Sequence, residues 1–117
     1  HLYSVRTVYL RDAHLRGANL RQARLAWIRL DNSILDQADL RGADLQGGSL
    51  RGTHLVGACL DAANLRGADL HEADLRGASF KNAHLADVKL DGAVFDATTG
   101  WPPGFEPPSG DSTSRRV

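Results

Sequence analysis

The side chains able to do chemistry in this 117-residue chain are few and evenly scattered. Inside the region of regular pattern the serines are Ser33, Ser49 and Ser79. None lies in the G-x-S-x-G turn that lifts a hydrolase nucleophile out of its sheet. The glycines do not cluster into a phosphate-cradling loop. His71, Glu72 and Asp74 form the tightest group of metal-ligating types, against a competing reading as a solvated polar face. Cys59 is the lone cysteine, and no basic or helix-terminal neighbourhood that would make its thiol reactive is evident. The expectation is that no residue is catalytic, cofactor-binding or metal-binding.

Bulk composition narrows the classes further. Fourteen basic and fourteen acidic residues cancel, which argues against a general polyanion binder and against a strongly acidic nucleic-acid mimic. One cysteine excludes an internal disulfide framework and suits a reducing, cytoplasmic setting. No apolar run is long enough to span a membrane, and no signal peptide is visible. The chain opens His1-Leu2-Tyr3 and contains no methionine, so a piece of a longer protein is expected, with a missing domain upstream.

What positions these scattered side chains is a period of five. From Leu10 to Phe95 every fifth residue is leucine or, at Phe80 and Phe95, phenylalanine. Two places before each stands a second column, alanine at twelve of its eighteen positions. Two places after stands a third, which holds eight of the twelve glycines. A helix cannot use this spacing, because five residues rotate by about 140° and the leucines would spiral around it. A continuous strand cannot either, because an odd spacing sends successive leucines to opposite faces. A bend in every period resolves the conflict. Each pentapeptide becomes one side of a coil, with Leu and the preceding Ala inward and Gly at the corner. Stacked coils then pair backbone to backbone at about 4.8 Å.

The exceptions in the alanine column set the number of sides. They are Val8, Ile28, Ser33, Gly48, Thr53 and Val88. With four sides, Val8, Ile28, Gly48 and Val88 share one face, and Ser33 and Thr53 share the next. Gly48 then stacks on Ile28, a small residue offsetting a large one. Two faces keep unbroken alanine ladders, one through Ala38, Ala58 and Ala78, the other through Ala43, Ala63 and Ala83. Opposite charges also fall twenty apart, as in Arg11–Asp31, Arg16–Asp36, Arg41–Asp61, Asp61–Lys81 and Arg76–Asp96. They are expected to neutralise one another between coils.

The segments "ADLRG", "ANLRG" and "ADLHE" resemble the A(D/N)LXX signature of the pentapeptide repeat family, over about residues 8–97. That resemblance implies an all-β fold, a right-handed quadrilateral parallel β-helix of about four and a half coils with an irregular C-terminal cap. The predicted core includes Leu40, Leu45, Leu60, Leu65, Leu70, Leu75 and Phe80, with Ala38, Ala43, Ala58 and Ala63. The expected organisation is a β-helix over residues 1–97, irregular over 1–7, a cap over 98–108 and a disordered tail over 109–117. The five-residue register is expected to fail after Phe95, with Trp101 and Phe105 closing the last coil. No N-terminal cap is recognisable, so a pairing partner or upstream domain is expected there.

The function expected is that of a non-enzymatic, rigid scaffold for protein–protein interaction. It takes no cofactor and no small-molecule substrate, has a protein partner, makes no membrane contact through this segment, and does not favour nucleic acid. Candidate contact residues are Trp27, Ile34 and Val56, which break the polar pattern, and Arg11, Arg16 and Arg21, which make the first coil basic. The resemblance also raises the alternative of a DNA-mimicking protector of DNA gyrase or another DNA-binding protein, although that role requires a predominantly acidic surface.

Overall fold

The computed structural model describes residues 8–108 and the backbone of Arg115–Arg116. From Tyr9–Arg29 to Asp74–Val94, every parallel bridging pair joins residues twenty apart. One coil is therefore four pentapeptides, and the chain is a β-helical solenoid. From Leu10 to Leu75 each leucine amide donates to the carbonyl nineteen residues ahead, as Leu40 does to Cys59 at 2.7 Å. The residue before the next leucine returns a bond, as Cys59 does to the Ala38 carbonyl at 3.0 Å. Little backbone is extended beyond that bridging residue. Among the described residues the strands of more than one residue are β1 (Val94–Phe95) and β2 (Arg115–Arg116), which pair in parallel.

Extended backbone is scarce because two residues in five are spent on a turn. The Ala43 amide donates to the Leu40 carbonyl at 3.0 Å, and the same bond recurs along the chain. The second residue after each leucine, from Asp12 to Gly92, has φ between 59° and 72°. Positive φ at the third of four turn residues, with the closing bond, is the type II pattern. Glycine fills it without steric cost, as at Gly67, where an added Cβ would meet nothing within 4 Å. Nine other positions place an L-residue there, including Trp27, Ala62 and Asp87.

The D/N of the signature has a local reason too. Asp39, Asp44, Asn64, Asp69 and Asp74 each accept, through a side-chain oxygen, the amide N–H two residues on, at 3.0–3.2 Å. This is Asx-turn chemistry, and it holds the start of the corner. Where His54 and Ser79 occupy that column, an aspartate from the preceding coil accepts instead: Asp36 from Val56 and Asp61 from Lys81.

The interior is a stack of leucines. From Leu30 to Phe80 the central column is at most 1% exposed, and Ala38, Ala43, Ala58 and Ala63 are equally buried. Alanine's short side chain leaves the coil interior to the leucines of the other sides. Ser33 and Thr53 are fully buried in the alanine column, and their hydroxyls donate to the carbonyls of Leu10 and Leu50 at 2.8 and 2.7 Å. A Cβ at Gly48 would press on the Leu45 carbonyl at 3.1 Å and the Leu50 side chain at 3.3 Å. The Ile28 carbonyl is the next nearest atom, at 3.5 Å, so Gly48 sits directly on Ile28 of the preceding coil as well as against its own turn.

The register does not fail after Phe95; it slips by one. Ser79 bridges to Gly100, twenty-one residues on, and the Phe80 amide donates to the Gly100 carbonyl at 2.7 Å. One extra residue in the corner of Asp96 to Thr98 moves Trp101 into the leucine column. Thr99 takes an alanine place, where its hydroxyl donates to the Leu75 carbonyl at 2.9 Å. The Trp101 ring stacks on Phe80, meets Phe95 edge-on and is covered by Phe105. At the other end burial fades. Val8 and Leu10 are exposed, and Leu15, Leu20 and Leu25 are only half-buried. The expected irregular stretch 1–7, with Val5, lies outside the described residues, as does the expected tail 109–117 apart from the Arg115–Arg116 backbone in β2.

Candidate functional site

Three groups of side chains stand out on the walls of this solenoid. The first surrounds Trp27. Its corner column continues through Gly47 and Gly67, and its indole leans along that column over Gly47. A Cβ on Gly47 would lie 2.2 Å from the ring, so only glycine admits this packing. Trp27 remains 57% exposed. Beside it runs a shallow groove of about 470 Å³, floored by Gly47, Gly48 and Gly67 and walled by Arg29, Ser49, Arg51, Asp69 and Lys89. Arg51 faces Asp69 at 3.6 Å, and Arg29 faces Asp31 at 3.4 Å. Asp31 also accepts from the Ser49 hydroxyl. The Arg29 Nε is buried without an acceptor among the described residues. The groove thus combines an aromatic wall, exposed backbone and a cationic excess.

The second group contains Ile34 and Val56, one face further round. Both are half-buried. Ile34 bridges to His14 on one side and His54 on the other, and Val56 is held through its amide by Asp36. They do not join Trp27 in one patch.

The third group is the first coil. Arg11 and Arg29 both lie over the ring of Tyr9, 5.9 and 5.5 Å from its centroid. Arg16 pairs with Asp36 at 3.3 Å. Arg21 and Arg24 have no carboxylate within ion-pairing distance among the described residues. Tyr9, 61% exposed, carries no signal in the sequence beyond its type. Arg29 and Lys89 could have been found beforehand, because a step of twenty places them in the column beside Trp27.

The charge pattern differs from the one expected. Of the pairs twenty residues apart, only Arg16–Asp36 closes into an ion pair among the described residues. The short pairs lie within a pentapeptide. Arg41 Nε and Nη2 donate to the two Asp39 oxygens at 2.9 and 2.6 Å, and Arg76 does the same to Asp74. The aspartate already holds the turn amide, so its arginine two residues on reaches it without crossing to another coil. The Arg41 guanidinium holds the Asp39 carboxyl at about 2, and Arg76 likewise lowers Asp74. Burial pushes the Cys59 thiol up, away from the reactive thiolate. His71 Nε2 lies 3.8 Å from Glu72, while Asp74 is committed to Arg76. Among the described residues no three histidine, cysteine, aspartate or glutamate side chains converge as metal ligands, and no helix is long and apolar enough to cross a membrane.

Comparison with known proteins agrees with this architecture. The family described as pentapeptide repeats matches residues 9–47, 23–61 and 58–96. The pentapeptide repeat protein Rfr23 from the cyanobacterium Cyanothece 51142 is similar in structure, with a TM-score of 0.82 and 41% identity over 84% of this chain and 67% of its own. A pentapeptide repeat protein of the Arabidopsis thaliana thylakoid lumen follows, with a TM-score of 0.66 and 34% identity over 68% of this chain and 55% of its own. The chain thus spans little more than half of that second structure. No curated protein sequence matches.

Proposed function

The chain belongs to the pentapeptide repeat family, and from that premise we propose that it is a non-enzymatic interaction scaffold, a right-handed quadrilateral β-helix of about four and a half coils that presents rigid walls to a protein partner. One observation carries the reading: Trp27. A bulky side chain at positive φ costs roughly 1–2 kcal/mol relative to glycine, yet it is kept exposed at the head of a groove. Exposed aromatics with arginine neighbours are the residue types that dominate protein contacts. Many of the other conspicuous polar side chains, such as Asp39, Arg41, Asp74 and Arg76, already serve the fold as turn holders or paired charges. The lone cysteine suits a cytoplasmic setting.

The experiment is site-specific photo-crosslinking. A photoreactive residue at position 27 should capture a discrete protein partner, and one at the remote position 62 should not. Trp27→Ala should abolish capture by a probe at position 49. Equal capture from all positions, or turnover of a substrate lost on mutating a polar cluster, overturns the reading. The gyrase-protecting alternative finds less support here. That role calls for an acidic surface, whereas among the described residues Asp39 and Asp74 are tied to Arg41 and Arg76 and the first coil is basic. A supercoiling assay with a quinolone separates the two readings, since protection by this chain would favour the alternative.

A further inference from the structure

We propose that the Trp27 groove takes an aromatic side chain of the partner, seated on the bare backbone of Gly67 beside the indole. This rests on the reading of the groove as a protein contact and names the chemistry it accepts. The other corners of the solenoid show how such a seat is filled. Where a corner glycine follows a larger corner residue, that residue's side chain lies over it. Gln22 covers Gly42, Asn32 covers Gly52, Gln37 covers Gly57 and Glu72 covers Gly92, as Trp27 covers Gly47. The glycine has no Cβ to obstruct the arriving group, which therefore rests on backbone.

Two corner steps among the described residues set glycine after glycine, so no side chain leans onto the second. At Gly57–Gly77 the slipped register supplies a substitute. The Thr98 hydroxyl lies 3.6 Å from where a Cβ of Gly77 would stand. At Gly47–Gly67 nothing does so. A Cβ on Gly67 would meet no atom within 4 Å among the described residues. This uncovered step opens into the groove of about 470 Å³, one coil beyond the exposed indole of Trp27.

The walls select the occupant. Lys89 and Asp69 both line the groove, and Arg51 faces Asp69 at 3.6 Å. An entering carboxylate would meet Asp69, an entering ammonium would meet Lys89, and either would shed hydration against the indole. An uncharged side chain avoids these costs. Among uncharged groups a ring gains most from Trp27. Seated one coil on, about 5 Å along the rod, it comes within the separations of roughly 4.5–7 Å at which aromatic rings attract in offset or edge-on pairs. Aromatic anchors set in such pockets carry much of the energy of protein contacts.

The test is an NMR titration of the full chain with N-acetyl-tyrosinamide, compared with N-acetyl-leucinamide and N-acetyl-lysinamide. The tyrosine probe should bind at least about threefold more tightly than either. It should shift the Gly67 amide and the Trp27 Nε1–H together and leave the Trp101 Nε1–H of the cap unmoved. Gly67→Asn puts a side chain on the step and should lose this binding. Asparagine already holds the same corner conformation at Asn32 and Asn82, so the variant should fold. Trp27→Ala should remove the preference for tyrosine over leucine, and Ala62→Asn, at another corner, should change neither. The proposal is overturned if the three probes bind alike, if the shifts fall elsewhere, or if Gly67→Asn binds as the parent does. It is overturned, with the interaction reading kept, if protein capture from position 49 is lost in Trp27→Ala and unchanged in Gly67→Asn. No capture at position 27 beside a tyrosine-selective titration overturns that reading and keeps the seat.

Discussion

The indole of Trp101 lies on the ring of Phe80, centroids 5.1 Å apart and planes 7° from parallel. Trp101 is six residues after Phe95 rather than five, and the extra residue is absorbed in a corner. The result continues the leucine column with a larger, flatter group that ends it. Trp101→Ala should lower stability by about 2–3 kcal/mol, less than for a fully buried aromatic because the ring keeps some exposure. Equilibrium urea unfolding reads this, and Phe105→Ala should also destabilise, because the partly buried Phe105 ring covers Trp101 and packs against the core.

The core gradient gives a second prediction. Leu60→Ala removes a wholly buried side chain from a closed stack and should cost about 3–5 kcal/mol. Leu10→Ala, at the open end, should cost about 1 kcal/mol or less. Equal losses would mean that the N-terminal coil is sealed in solution.

Corner residues with positive φ offer a gain. Ala62 has φ 62°. Relieving a left-handed L-residue gains roughly 1–2 kcal/mol, and glycine's extra unfolded-state entropy returns roughly 0.5–1. Ala62→Gly should therefore stabilise the protein by about 0.5–1 kcal/mol, and Gly67→Ala, which meets no neighbour, should destabilise it by a similar amount. Thermal melting of the pair decides the matter; a destabilising Ala62→Gly would refute the corner assignment.

Acid sensitivity follows from the aspartate–arginine pairs. The Asp39 carboxyl is lowered from 3.8 to about 2, chiefly by its hydrogen bond from Arg41. A depressed folded value contributes stability that is present above pH 3.8 and is lost as pH falls toward 2. The melting temperature should drop through that window, and less steeply in Asp39→Asn. Because the pair is solvent-exposed, the effect should also shrink in high salt.

Gly47→Ala tests the Trp27 groove without changing a contact side chain. Its Cβ would collide with the indole, so the ring must swing off the column. Trp27 fluorescence should shift and partner capture should fall, with only a modest loss of stability.

Much of this was legible from residue spacing. A period of five admits neither helix nor strand, so the coil, the inward Leu and Ala columns and the four sides follow from the positions of Val8, Ile28, Gly48 and Val88. The turn chemistry of Asp39 and its neighbours was less visible, because Asp in that column also suits a solvated surface. The slipped register at Trp101 was hidden, since a one-residue insertion looks in sequence like the end of a pattern.

Spacing by itself determined what points inward, because every column repeats the same backbone geometry and side-chain direction follows from it. Tertiary structure decided which outward side chains meet. Arg41 has Asp61 twenty residues away and Asp39 two residues away, and both are permitted by the coil. The aspartate fixed by its own turn is the one the guanidinium reaches. In the same way, only the stacking of Trp27 on Gly47 turned a corner residue into the wall of a groove.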